Sequence, residues 1–278
     1  MRKHIKLKIK GISLAILAIV VISFTEAIYG QISITGKIVD EMNVPIPYAN
    51  VGIFKEGIGT VSNRKGDFEL NIPEELLDYN ISISHVGFEP LSFKVKEIPQ
   101  NIELKRALIK LDVVTISASE IKEKEIGSRS KAGLLISGFS YKDLGGEVGR
   151  KFSIKQTSII ERIGFHVKHN SFDSIILRLN IYSIEKRLPG QLLSGNNFIT
   201  ISDQKTGQME YILRDLFEVH EDVIVTIELV EHFPLETGYI YFSQVPPYLG
   251  KMYYRETSFD KIKKFIGGPM SMYLMIKF

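Results

Sequence analysis

The chain has 278 residues, of which 44% are hydrophobic, with no cysteine, no tryptophan, and 35 Lys plus Arg against 32 Asp plus Glu. Without cysteine there is no disulfide framework, thiol nucleophile, cysteine zinc site or lipid-attachment thiol, so stability rests on core burial. The positive balance is local: the first thirty residues hold five basic and one acidic residue, leaving 30 Lys plus Arg against 31 Asp plus Glu, and nucleic acid loses its electrostatic warrant as a partner.

Those first thirty residues have the three parts of a secretory signal. Arg2, Lys3, Lys6, Lys8 and Lys10 precede a largely apolar run, 12–24, and Ala27 and Gly30 supply small residues beside a cleavage point. The expected mature chain starts near Gln31, with 1–30 removed. The alternative is a retained anchor, but the apolar run is shorter than the ~20 residues a spanning helix needs.

Residues 31–106 show short strands at regular spacing, expected at 32–40, 48–54, 59–62, 67–72, 80–86, 90–97 and 101–105, which is the pattern of a β-sandwich. Ile34, Gly36 and Ile38 alternate with Thr35, Lys37 and Val39, Asn43, Pro45 and Pro47 break the strand, and Ala49-Asn50-Val51 restarts it. Gly59, Gly66 and Gly87 stand at strand edges, where a positive φ is expected. The combination Gly36-x-Ile38-x-Asp40, Pro45-x-Pro47-x-Ala49-Asn50-Val51, Gly59-Thr60, Asn63-x-x-Gly66-x-Phe68 and His85-Val86-Gly87-Phe88 resembles the carboxypeptidase regulatory-like domain. The resemblance implies a transthyretin-like β-sandwich of the kind often found at the start of exported Gram-negative envelope proteins. It implies nothing about a ligand.

Residues 107–149 read as a linker: a β-prone stretch at 113–117 that could serve as an edge strand, a charged run at 120–125, then a Gly-rich region. In the wider family a segment similar to 111–115 often joins this module to the plug of an energy-coupled outer-membrane receptor. That similarity implies an alternative role as an accessory component of an outer-membrane transport system.

From residue 150 to 278 period-two alternation returns. Ile163, Phe165 and Val167 oppose Arg162, His166 and Lys168; Leu177, Leu179 and Ile181 oppose Arg178, Asn180 and Tyr182; Val223, Val225, Ile227 and Leu229 oppose Thr226 and Glu228. Met270, Met272, Leu274, Ile276 and Phe278 alternate to the last residue, and only 119–126 and 258–265 offer short helical possibilities. The expected fold class is all-β, with a second, jelly-roll-like sandwich after the first. Its run 163–193 looks similar to β-sandwich adhesin and carbohydrate-binding modules.

The residues offer little chemistry. His85 and Glu89, like His232 and Glu236, are four apart, and His166 and His169 are three apart on a strand, which sends them to opposite faces; no His-x-x-Glu zinc motif occurs. There is no Gly-x-Ser-x-Gly elbow, and Gly145-Gly146-x-x-Gly149 lacks the Lys-Ser/Thr of a phosphate loop. Carboxylate pairs such as Asp173 with Glu185, or Glu228 with Glu231, could act as acid and base, but any chain this acidic supplies such pairs by chance. Binding is better represented. Aromatic residues crowd 239–259, and Tyr248, Tyr253, Tyr254 and Arg255 are the candidate binding surface, against the plainer reading of core and edge aromatics. The expectation is a non-enzymatic exported protein of the periplasm or outer membrane, without cofactor or metal, acting through interaction with an envelope protein or glycan, with peripheral outer-membrane association as one placement. The competing expectation is an envelope hydrolase acting on peptide or glycan.

Overall fold

The computed structural model describes residues 30–107, 122–132 and 134–278. The signal-like segment and the β-prone stretch 113–117, with the strand-adding edge read there, lie outside the described residues.

The first sandwich has seven strands: β1 (Gln31–Asp40), β2 (Asn50–Ile53), β3 (Ile58–Val61), β4 (Asp67–Pro73), β5 (Asn80–Ser84), β6 (Leu91–Lys94) and β7 (Asn101–Leu104). They form two sheets, β4-β1-β7 and β3-β2-β5-β6. β1 runs antiparallel to β4 and parallel to β7. Alternate residues of both sheets, including Ile38, Leu70, Ile72 and Ile102 from one and Val51, Ile53, Ile81 and Ile83 from the other, meet in one apolar core. Each such side chain contributes roughly 1.5–3 kcal/mol of burial.

The signature residues build the turns of this sandwich. Asp40 Oδ1 accepts from the backbone N–H of Met42 at 3.0 Å and Val44 at 2.9 Å, and Asn63 Oδ1 accepts from Lys65 at 2.8 Å and Asp67 at 3.1 Å. These are turns in which a short side chain replaces a backbone acceptor. Gly66 takes φ +78°, and a Cβ there would stand 2.4 Å from the carbonyl oxygen of Ile38, so glycine is required twice over.

The second sandwich contains β8 (Glu123–Gly127), β9 (Ile136–Ser140), β10 (Glu147–Phe152), β11 (Ser158–Asn170), β12 (Ser174–Glu185), β13 (Leu188–Ser202), β14 (Gly207–Val219), β15 (Val223–Phe233), β16 (Tyr239–Ser243), β17 (Met252–Arg255), β18 (Lys263–Phe265) and β19 (Met272–Lys277). One sheet runs β13-β12-β15-β10-β17-β18; the other runs β8-β19-β11-β16-β9, with β14 also paired to β11. Leu177, Leu179, Val225 and Ile227 of the first sheet pack on Ile163, Phe165, Phe242 and Leu274 of the second.

Two expectations change here. Residues 123–127 and 136–140, expected in the linker, are strands of the second sandwich: β8 pairs with β19 and β9 with β16. Their register was hidden because Glu123, Lys124 and Glu125 are all exposed, so β8 carries no apolar alternation. The helical possibilities also fail. Where described, 119–126 falls mainly in β8, and 258–265 is a turn running into β18.

Candidate functional site

The outer face of the β12-β15-β10-β17 sheet is not the solvated face its polar residues suggest. Arg178 lies opposite Glu228, Asn180 opposite Thr226, and Glu147 opposite both Glu228 and Arg255. Cross-strand neighbours of this kind lie close enough for side chains to bond directly. Glu147 is 1% exposed, Glu228 0% and Arg178 2%.

The cluster closes on itself. Arg178 donates through Nε to Glu228 Oε2 at 2.9 Å and through Nη2 to Glu228 Oε1 at 2.7 Å, a two-point fork. Asn180 Nδ2 donates to Glu228 Oε2 at 2.7 Å and Glu147 Oε1 at 3.0 Å, so one amide bridges both carboxylates. Thr226 Oγ1 donates to Glu147 Oε2 at 2.6 Å, Tyr182 Oη donates to Glu147 Oε1 at 2.9 Å, and Arg255 Nη2 also binds Glu147. Two carboxylates face two guanidiniums, and all four carboxylate oxygens already accept.

Burial pushes the Glu147 carboxyl up, with the neighbouring Glu228 charge adding to it, against the pull of Arg255. Burial pushes Glu228 up as well, but Arg178 and Arg255 together outweigh it and hold the group below the usual carboxylate range. Carboxyls displaced in opposite directions are what an acid–base pair requires. Here both are buried, and every carboxylate oxygen already accepts a hydrogen bond within the cluster.

The cover comes from the first sandwich. Arg178 Nη1 donates to the backbone carbonyl of Tyr48 at 2.7 Å, and its Nη2 donates to Asn50 Oδ1 at 2.6 Å. Ser258 Oγ reaches the same Asn50 oxygen at 3.1 Å. Beside the charges, Tyr48 and Val61 pack on Ile176 and Val230. At the rim Tyr48 Oη donates to Glu231 at 3.0 Å and Arg64 pairs with Glu231 at 2.7 Å. A Cβ on Gly59 would fall 2.1 Å from the carbonyl oxygen of Ser258, yet its φ is not positive. Gly59 is therefore needed for close approach between the sandwiches and not for the turn expected of it.

The expected binding surface is dispersed. Tyr248 is 84% exposed, Tyr253 is 5% exposed with its hydroxyl 3.5 Å from the carbonyl of Arg187, Tyr254 packs against the core, and Arg255 belongs to the buried cluster. Tyr253 and Tyr254 are neighbours on one strand, so their rings leave on opposite faces and form no common platform. Within residues 239–259 the stacked aromatic pair is Tyr239 with Tyr241, ring centroids 5.0 Å apart, two residues apart on β16. Of the carboxylate pairs considered, Glu228 meets Glu147 and not Glu231, because Glu231 turns to the first sandwich. Among the described residues no cluster of His, Asp and Glu forms a metal site; His166 bonds Ser243 Oγ at 2.9 Å. The clue to the real cluster was available: Arg178 lies between Leu177 and Leu179, and Glu228 between Ile227 and Leu229, so each charge sits within an apolar stretch of its strand.

The architecture is that of a two-sandwich protein whose first module clamps the second. Residues 34–116 match the model of the CarboxypepD_reg-like domain family. Those residues are a carboxypeptidase regulatory-like domain, and that domain is non-catalytic. The match stops before the second sandwich, and no curated protein matches the chain.

Proposed function

We propose that the protein is an exported, non-enzymatic binding protein of the cell envelope, recognising a protein or glycan partner with its second sandwich. The observation that carries this reading is the closed Glu147–Glu228–Arg178–Arg255 cluster. Its charges are bonded to one another and to the first sandwich, so they fix one relative placement of the two modules. A binding surface held on a rigid frame loses less entropy on association. Tyr239, 43% exposed and stacked on Tyr241, supplies an aromatic group of the kind peptide or sugar recognition uses.

The test is capture from envelope extract by the chain starting at Gln31, beside a variant with Tyr239 and Tyr241 both replaced by Ser. A defined protein or glycan held by the parent and lost by the variant supports the proposal. The second reading, a hydrolase, is favoured by a cavity of about 250 Å³ bordered by Glu147, Arg255, Ser137 and Tyr254. Turnover of envelope peptides or glycans that disappears in Glu147→Gln would replace the binding reading with that one.

A further inference from the structure

Among the described residues the buried arginines have partners, with one exception. Arg178 and Arg255 each meet carboxylates. Arg150, on β10, alternates to the interior side with Val148 and Phe152 and is 9% exposed. Among the described residues its one hydrogen bond, Nη1 to the carbonyl of Met270, is stretched to 3.5 Å, and its Nε has no partner. The guanidinium lies 5.4 Å from the Phe152 ring. Among the described residues no carboxylate comes within ion-pair distance of it. A buried charge without a counter-ion is costly, and proteins ordinarily pair it, neutralise it or exclude it. Burial lowers the Arg150 pKa, but an arginine does not give up its proton at ordinary pH.

Arg150 lines an open cavity of about 490 Å³ between the ends of β8 and β10 and the loop before β17. Among the described residues no acidic side chain lines it, whereas Lys151 and Lys251 do, with Ser153 and Tyr253 beside them and Ile126 and Leu249 as apolar wall. Lys151 is engaged by Asp222 at 2.6 Å; Lys251 is exposed and, among the described residues, makes no ion pair. The surroundings are electropositive beyond the lining: the Lys264 amine is lowered by burial and then by Lys251, Arg187 and Lys151.

We propose that this cavity is a binding site for a phosphate-type oxyanion carried on a small molecule or a lipid headgroup, with Arg150 as its fixed guanidinium fork and Lys251 as its mobile second cation. Arginine presents paired donors to an oxyanion in fixed geometry, and lysine supplies a flexible point charge. The volume lies within the roughly 300–1,000 Å³ of small-molecule sites, and a lone tetrahedral anion would leave most of it empty. The site is separate from the clamp and from the Tyr239–Tyr241 surface, so it stands whether or not the binding-protein reading holds.

Thermal unfolding and calorimetric titration of the chain from Gln31, with inorganic phosphate and with glycerol phosphate, test the site. Both anions are expected to raise the unfolding temperature, as any ligand selective for the native state does. Arg150→Met is expected to weaken binding at least tenfold while leaving the anion-free protein as stable as the parent or more so, because an isolated buried charge is gone. Lys251→Ala, an exposed position, weakens binding a few-fold and controls for folding. Flotation with phosphatidylglycerol vesicles, against phosphatidylcholine vesicles, separates the sources: soluble anion binding indicates a free ligand, and Arg150-dependent binding to the anionic vesicles alone indicates a headgroup. Binding to neither, or binding that Arg150→Met leaves intact, overturns the proposal.

Discussion

The two sandwiches solve the same problem differently. In the first, each sheet has one apolar face and the two meet in a single core, while short side chains at Asp40 and Asn63 tie the turns. In the second, the sheet that carries β12, β15 and β10 is buried on both faces. One face is apolar, and the other holds Arg178, Asn180, Thr226, Glu228 and Glu147. A face of that composition cannot face apolar surface without every charge being paired, and cannot be replaced by water without losing the ordered network. The difference makes the first sandwich more than a neighbour: Tyr48 and Asn50 supply acceptors that complete Arg178.

The largest test of that asymmetry removes one partner of the buried pair. Glu228→Ala strands Arg178 and deprives Arg255 of a neighbouring charge, so about 3–5 kcal/mol of stability is expected to be lost, read as a fall in the urea midpoint at unchanged slope. Replacing both partners, Arg178→Met with Glu228→Leu, is expected to recover most of it, since a hydrophobic pair of similar volume is tolerated. If the single and double changes cost the same, the network is not a coupled unit. Changes at the apolar core of the first sandwich have no such rescue: Ile81→Ala should cost about 2–5 kcal/mol by leaving a cavity.

Acid sharpens the comparison at the seam. His85, in the first sandwich, has its pKa lowered to about 4 by burial and then by the Arg178 charge. The unfolded chain, with an ordinary histidine near 6.5, therefore binds more protons than the folded one between those values. Stability contributed by His85 is complete above about pH 6.5 and is lost as pH falls toward 4. The shift corresponds to at most roughly 3 kcal/mol. His85→Gln is expected to flatten the pH dependence of the unfolding temperature in that window; an unchanged slope would remove His85 from the seam's electrostatics.

Contact between the modules can also be blocked sterically. Gly59→Val places a side chain where Ser258 already lies, at an expected cost of about 1–3 kcal/mol. Calorimetry should show the single transition of a coupled pair separating into two. A lone shifted transition would mean that the modules stay coupled through Arg178 despite the wedge.

The contrast also explains what the sequence made legible. The first sandwich was readable almost strand by strand, because its buried residues are apolar at period two and its turns carry Gly, Pro, Asp and Asn. β1, expected at 32–40, spans Gln31–Asp40, and β4, expected at 67–72, spans Asp67–Pro73. The apolar half of the second sandwich was equally plain in Leu177, Leu179, Val225 and Ile227. Its polar face was visible as alternation but looked solvated, because the pleat gives the face of a residue and not what covers that face. Glu147 and Glu228 are brought together by the pairing of β10 with β15, a contact set by topology and not by spacing along the chain. The candidate surface of Tyr248, Tyr253, Tyr254 and Arg255 is dispersed for the converse reason: aromatics crowded along a strand do not share one exposed face, because adjacent strand residues point apart.

The smallest effect isolates the rim from the clamp. Tyr48→Phe removes the hydroxyl that donates to Glu231 but leaves the Tyr48 carbonyl that Arg178 uses and the ring that lies 5.3 Å from Phe198. A net hydrogen bond to a charged acceptor contributes about 1.5–3 kcal/mol when well shielded, less here because Arg64 already holds Glu231 at a solvent-facing edge. A loss of about 1 kcal/mol is expected, and it should add to that of Glu228→Ala without coupling, since the two sites share no bond. Strong coupling in a double-mutant cycle would instead make rim and cluster one network. Tyr48 would then carry stability between the sandwiches through its side chain as well as its backbone.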